Sequence, residues 1–452
     1  MNAFGRSLRK AYEHLEKGDI ARAHEALTHL KPKNTEQLLE LALILSMTNS
    51  HAFNLGRKHL NRAKIIEPAI VQTELYLALD FLYKVLENQD PRIDSGLMKL
   101  INSSEDLVLF IFGRALSLSE NYRRATRALK SVRLALLNDF QKRQNMSMLA
   151  QALAKLGRYL EAAQIYKEIT LQFEQYDTKE ETLLLAECYL QAGNAELAIN
   201  NLDIDVSDVE QEKKLHYLRG VALHYLANYQ DALIELKKTY LLCRDDVVSY
   251  EIYLALARVY IDLNENEKAI SFYNQTLQII PSHHKQNIRH EFARFLKEYA
   301  YYDLASQQLD ELVKDARYEN KVLAELDLAE TAFEMYDIKK AELFVRRPYS
   351  QGLVGASLLL ARIAIENFEY DDAEVYLEQV LGLSQKASQE WLTAQILLAE
   401  VFSKRRLGSP ERLLTHAKNA LNYLRSDDEW TLTLEGYIEE ARAQTIENRV
   451  VN

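Results

Sequence analysis

Four groups of side chains have types and spacings that invite a chemical reading. His24-Glu25-Ala26-Leu27-Thr28-His29 has the look of a helical zinc motif. Zinc hydrolases of that kind need histidines four apart, so that both face the metal from one side of a helix. Five positions turn the second ring about 140° away, at 3.6 residues per turn. His283, His284 and His290 stand beside Lys285 and Arg289, in a stretch that reads as a loop and helix start. Cys188 and Cys243 lie 55 positions apart with no CxxC pair, which excludes a zinc ribbon or a thioredoxin-like motif. No Walker A, GxGxxG, GxSxG or HExxH string occurs. The expectation is a protein that is not an enzyme and takes no cofactor or metal.

The fourth group is cationic. Positions 121–137, NYRRATRALKSVRLALL, carry Arg123, Arg124, Arg127, Lys130 and Arg133 with no acid, and Lys142 and Arg143 follow. On a helix, 123, 127 and 130 share a face. This is a candidate basic docking patch for an acidic partner, or else a solvated helix face. The formal net charge of −11 disfavours nucleic acid, and no aromatic stacking set accompanies these cations.

These residues must be positioned by a nearly all-helical chain. Of 452 residues, 48% are apolar and 27% charged, which suits a large folded core. Glycine (13) and proline (6) together make only 19 positions, too few turn residues for sandwiches, barrels or most α/β enzymes. The N-terminus has no apolar stretch of signal-peptide type. The most apolar run, Leu38 to Met47, contains Glu40 and is half the roughly twenty residues a bilayer span needs. Two cysteines on this length suit a reducing compartment, so the expected location is cytoplasmic, with no membrane span.

An internal repeat organises the chain. Small residues recur at Ala11, Ala78, Gly113, Ala150, Ala186, Gly220, Ala257, Ala293, Ala329, Ala361 and Ala399, with Ile44 filling the first gap. Twelve residues after most of them comes a second small residue: Ala23, Gly56, Ala125, Ala162, Ala198, Ala232, Ala269, Ala305, Ala341 and Ala373. Four residues later stands a large apolar one: Leu27, Leu60, Leu129, Tyr166, Leu202, Leu236, Tyr273, Leu309, Val345 and Leu377. The surrounding apolar pattern has helical period. Breakers fall midway, among them Gly18-Asp19, Gly157-Arg158, Gly193-Asn194, Asn264-Glu265-Asn266 and Tyr336-Asp337. Each unit therefore reads as helix, tight turn, helix. The small residues mark where the two helices approach closely.

This pattern resembles the tetratricopeptide repeat, whose unit has a small residue in each helix and an aromatic residue or leucine after the second. Positions 250–281, YEIYLALARVYIDLNENEKAISFYNQTLQIIP, fit best and end on Pro281. The resemblance implies an all-α solenoid, a right-handed superhelix of about twelve helix-turn-helix repeats over residues 1–427, with a capping helix and tail over 428–452. Irregularities are expected at 86–104, where Asp90 and Asp94 replace apolar ladder residues, and at 346–355. The last unit has a longer connection, Arg405 to Pro410.

In that family the first helices line a concave groove for a partner protein or peptide, and the residue after the small one often points inward. Carried over, those positions are Tyr12, Arg114, Gln151, Glu187, Val221, Arg258, Arg294, Glu330, Arg362 and Glu400. The arginines would hold carboxylates bidentately, or pair with Glu187, Glu330 or Glu291 inside the array. The set by which some relatives clamp a chaperone's C-terminal carboxylate is not reproduced, which disfavours that partner. The function implied is a protein-binding scaffold or adaptor of open oligomeric state. A peptide-sensing regulator, or an accessory subunit of a secretion, pilus or envelope-assembly machine, stands as the alternative.

Overall fold

The computed structural model describes residues 3–17, 19–48, 50–89, 91–243, 248–405, 409–425 and 428–451. Gly18, Asp90, positions 406–408 of the last connection and the terminal Asn452 lie outside the described residues. The fold is an all-α solenoid: 25 α-helices follow one another as consecutive pairs, with no strand among the described residues. The chain forms two compact units, Met1–Phe272 and Tyr273–Asn452.

The ladders are the core. Their alanines are fully buried, and the large residues of the third ladder are 0–1% exposed. Two glycines show why the first position stays small. A Cβ built on Gly113 would lie 2.7 Å from Leu129, and one on Gly220 would lie 2.6 Å from Leu236. In both cases the clashing residue stands sixteen positions later, in the second helix of the same hairpin. The large side chain fills the space that the small one leaves.

The turns are as regular as the core. Seven residues after eight of the small residues the backbone enters the left-handed region: Glu120, Gly157, Gly193, Ala227, Asn264, Ala300, Tyr336 and Phe368, with φ between 58° and 78°. The next residue's N–H reaches back to the carbonyl three after the small one. Examples are Arg158 to Leu153 (2.9 Å), Asn228 to Leu223 (2.9 Å) and Glu369 to Ala364 (2.8 Å). This six-to-one bond is the Schellman closure of a helix. The residue that makes it then becomes the N-cap of the second helix. Glycine and asparagine take this conformation cheaply, yet five of the eight positions hold Glu, Ala, Tyr or Phe.

The first unit departs from simple stacking. Helix Thr35–Leu45 is buried almost all round, as are nine of the thirteen positions of Asp106–Leu118 and six of the thirteen of Glu74–Leu86. The hairpin that starts with Glu74–Leu86 has only Ser95–Lys99 and the 3₁₀ turn Leu100–Asn102 in place of a full second helix. Asp106–Leu118 accordingly packs straight onto Glu74–Leu86, with Phe81 and Phe112 5.5 Å apart. Gly56 lies under Tyr83, whose hydroxyl donates to the Ala42 carbonyl at 2.6 Å. The N-terminal helix Ala3–Glu16 reaches across to Asp139–Lys155. Tyr12 lies 6.3 Å from the Phe140 ring, and its hydroxyl accepts from Gln141 Nε2 at 3.2 Å.

In the second unit, Tyr273 stacks on Phe292 at 4.8 Å. Positions 346–355 carry the end of Ile338–Ser350, with Pro348 inside it, and a turn through Gly352 at φ 75°. The final helix Glu429–Val451 buries Leu434 and Ala441.

Two stability predictions follow from this packing. Gly220→Leu should lower the thermal midpoint by overpacking the hairpin, at about 1–3 kcal/mol. Gly220→Leu with Leu236→Ala should recover part of that loss in the same melt, and an unchanged midpoint for the single variant would contradict the facing pair. Ala300→Gly should instead raise the midpoint, by about 0.5–1 kcal/mol, because it relieves a left-handed alanine.

Candidate partner-binding surface

The positions after the small residues sit on the first helices, and their surroundings differ. Arg114 is half-buried and turns inward. It donates to the Ser46 hydroxyl at 3.0 Å and to the Ser46 carbonyl at 2.8 Å. Burial lowers its guanidinium to about 10, so it stays charged at neutral pH. Glu187 pairs with Lys214 at 2.7 Å, and Arg258 is half-buried near Tyr217. Gln151 is exposed. In the second unit, Arg294 is exposed and Glu330 pairs with Lys297 at 2.6 Å. Arg362 pairs with Glu334 at 3.0 Å while lying 4.4 Å from the centre of the Phe333 ring.

Charge pairs thus tie several first helices to the next within each unit. Arg143 bridges to Glu181 at 2.7 Å, and His224 lies 2.6 Å from Asp262. The densest set is in the second unit. His290 lies 2.8 Å from both the Tyr318 hydroxyl and Asp327, and Lys297 bonds Asp327 as well as Glu330. Burial alone would raise the Asp327 carboxyl. The His290 hydrogen bond and the Lys297 charge outweigh burial and hold it below its ordinary range. Sequence reading missed these partners. A signal was present in Lys297 and Glu330, opposite charges about one repeat apart.

Two recesses open among the first helices of the first unit. One, of about 450 Å3, is lined by Met47, Phe140, Met148 and Leu184, by Gln144, Ser147 and Gln151, and by charged residues including Asp139, Arg143, Glu180 and Glu181. The other, of about 700 Å3, is lined by Phe4, Leu8 and Tyr12 and by Glu13, Glu16, Glu36 and Glu40. Burial, and then neighbouring carboxylates, raise Glu16 and Glu40 above the ordinary range.

The basic stretch lies on the other helix layer, in the second helix Tyr122–Lys130. Arg123 and Arg124 are exposed, Arg127 donates to Asn102 Oδ1 at 3.0 Å, and Lys130 lies 3.6 Å from Glu161. Arg133 grips the buried Asp106 through Nε at 3.0 Å and a terminal nitrogen at 2.8 Å. His283 and His284 are exposed, and His24 and His29 do not converge with other ligands: among the described residues no three His, Cys, Asp or Glu side chains could hold a metal ion. No helix among the described residues is long and apolar enough to cross a membrane.

The Asp327 cluster gives a pH prediction. A carboxyl depressed in the folded state adds stability above the ordinary Asp value near 3.9, and that stability is lost as pH falls through the folded value. Asp327→Asn should cost about 1–3 kcal/mol at neutral pH. The gap to wild type should narrow toward pH 3 in thermal melts; a gap independent of pH would exclude this role.

Residues 250–283, the hairpin Tyr250–Asp262 and Asn266–Ile279 with its proline, match the family model described as tetratricopeptide repeat. No curated protein matches the chain. Among solved structures, the C-terminal part of a TPR repeat-containing protein from Cytophaga hutchinsonii is similar at 14% identity and TM-score 0.44, over 56% of this chain and 98% of that one. PilF of Pseudomonas aeruginosa is similar at 20% identity and TM-score 0.38, over 52% and 99%. The APC/C hetero-tetramer Cut9–Hcn1 is similar at 13% identity and TM-score 0.41, over 98% and 96%. At such scores none of them bears on what this chain binds. The matched hairpin is a tetratricopeptide repeat, and it shares its small–large spacing and its left-handed turn with the hairpins before and after it.

Proposed function

We propose that the protein is a non-catalytic interaction scaffold that binds an extended segment of a partner protein along the first helices of its hairpins. One observation carries this reading. The recess beside Asp139–Lys155 and Lys179–Gln191 sets the exposed amide of Gln151 and the half-buried Gln144 and Ser147 beside Met47, Phe140 and Met148, with charged residues such as Arg143 and Glu180 completing the lining. Amide and hydroxyl rims can hydrogen-bond a peptide backbone without choosing a sequence, and Met47 and Met148 are adaptable enough to fit varied side chains. Its volume falls in the range of small-ligand and peptide pockets, roughly 300–1,000 Å3.

The non-catalytic reading is supported by where the titratable groups are spent. His290 has a partner at each ring nitrogen, His216 lies 2.6 Å from Glu235, and His416 lies 2.8 Å from Gln395. Each of these three histidines is engaged between helices of the array rather than poised as a general base over an open pocket. Cys188 and Cys243 are buried thiols, which supports a reducing, cytoplasmic location.

The test places a photo-crosslinking amino acid at Gln151, at the recess rim, and at Leu171, exposed on the second helix of the same hairpin. In the native host, a discrete adduct should form from position 151 and be absent from 171. Adducts of equal yield at both positions, or at 171 alone, would move binding off this surface. Gln151→Trp should cut adduct formation from a crosslinker at neighbouring Gln144 without lowering the melting midpoint.

A further inference from the structure

We propose that Arg123, Arg124 and Arg127 form a second docking surface, on the layer of second helices, for a carboxylate-rich segment of a partner protein. This does not depend on the recess described above. The helix Tyr122–Lys130 buries Ala125, Thr126, Ala128 and Leu129 and turns its arginines outward. Folding alone gives no reason for the two arginines in the first turn. The first turn of a helix favours acids, because its N–H groups and dipole are positive there. This one has no acid in its first turn, no side-chain cap from Asn121, and arginines at its second and third positions. Arg127 stands in the last turn, where the dipole favours a cation, and extends the same face one turn beyond Arg123.

The structure also separates the cations that the fold uses from those it leaves available. Arg133 is committed to Asp106, and Lys130 faces Glu161. Among the described residues, no carboxylate comes within ion-pair distance of Arg123, Arg124 or Arg127. Arg127 meets only the neutral Asn102 oxygen, which fixes one edge of its guanidinium and leaves the other donors available. Beside it opens a shallow recess of about 480 Å3, whose polar lining includes Asn102, Ser104, Arg133 and the Asp106 that Arg133 holds; the Ser103 and Ser131 hydroxyls already donate to Glu74 and to the Arg127 carbonyl. Guanidinium forks suit carboxylate side chains held two-pronged.

Charge complementarity selects the occupant. The patch is a local cationic site on a chain of net charge −11. That field opposes a long polyanion such as RNA or DNA more than a short peptide with a few glutamates. The helix's one aromatic side chain, Tyr122, is half-buried and offers no exposed ring for base stacking.

The test uses the full chain and a fluorescein-labelled peptide of alternating glutamate and serine, read by anisotropy at low and physiological salt. Arg123→Glu/Arg124→Glu/Arg127→Glu should weaken binding roughly tenfold or more, and a control of equal charge change, Lys58→Glu/Arg62→Glu/Lys64→Glu, by about twofold or less. Arg123→Glu/Arg124→Glu alone should melt no lower than wild type, since acids then occupy the first turn. The proposal is overturned if the wild-type chain does not bind the peptide, or if both triples lose affinity alike. It also falls if a single-stranded oligonucleotide of equal charge binds tighter through these arginines, or if Arg123→Glu/Arg124→Glu melts lower than wild type.

Discussion

The close approach of two helices within each hairpin is the constraint on which the rest depends. A small residue in the first helix faces a large apolar one sixteen positions later, and the glycines at 113 and 220 leave no room even for a methyl group. Interiors are packed to near crystal density, so such a pair accepts little change of volume. Once each pair is seated, the turn has only three residues in which to reverse the chain. That forces one residue into the left-handed region in eight of the described hairpins. Packing therefore dictates the backbone at the turn. It does so even at Tyr336 and Phe368, 88% and 76% exposed, whose own preference is against it.

Stacking then divides the charged residues. Neighbouring first helices sit close enough for Lys214 to reach Glu187, Lys297 to reach Asp327 and Glu330, and Arg362 to reach Glu334. Partly buried pairs of this kind add little net stability, because desolvation offsets attraction. Removing one member is costly, so they fix the register of one hairpin on the next. The two surfaces proposed for a partner lie beside this lacing: the recess near Gln151 in one layer, whose lining includes the Arg143–Glu181 pair, and the arginines of Tyr122–Lys130 in the other.

The first unit adds a device the repeat alone does not require. Where the second helix shrinks to Ser95–Lys99, the apolar faces of Glu74–Leu86 and Asp106–Leu118 close on each other, and the N-terminal helix covers further surface through Tyr12 and Phe140. A helix apolar on all sides must be covered on all sides. Thr35–Leu45, with seven buried apolar residues in eleven, shows this in its composition alone.

Helix content, hairpin spacing and the buried ladders were legible in the sequence, because they rest on periodicity within some sixteen residues. Gly157, Gly193 and Asn264 also announced their turns. Ala227, Ala300 and Phe368 did not, since nothing local favours the left-handed conformation there. Among the candidate surface residues, the sequence named Arg114, Glu187, Arg258 and Arg362 by register alone. Tertiary structure decided that Arg114 turns in toward Ser46, that Glu187 and Arg362 are held by neighbouring helices, and that Gln151 stands open. The reason is one of range. A side chain's face on its own helix follows from 3.6 residues per turn. Which charge it meets depends on how the next hairpin, some thirty residues away, is seated against it.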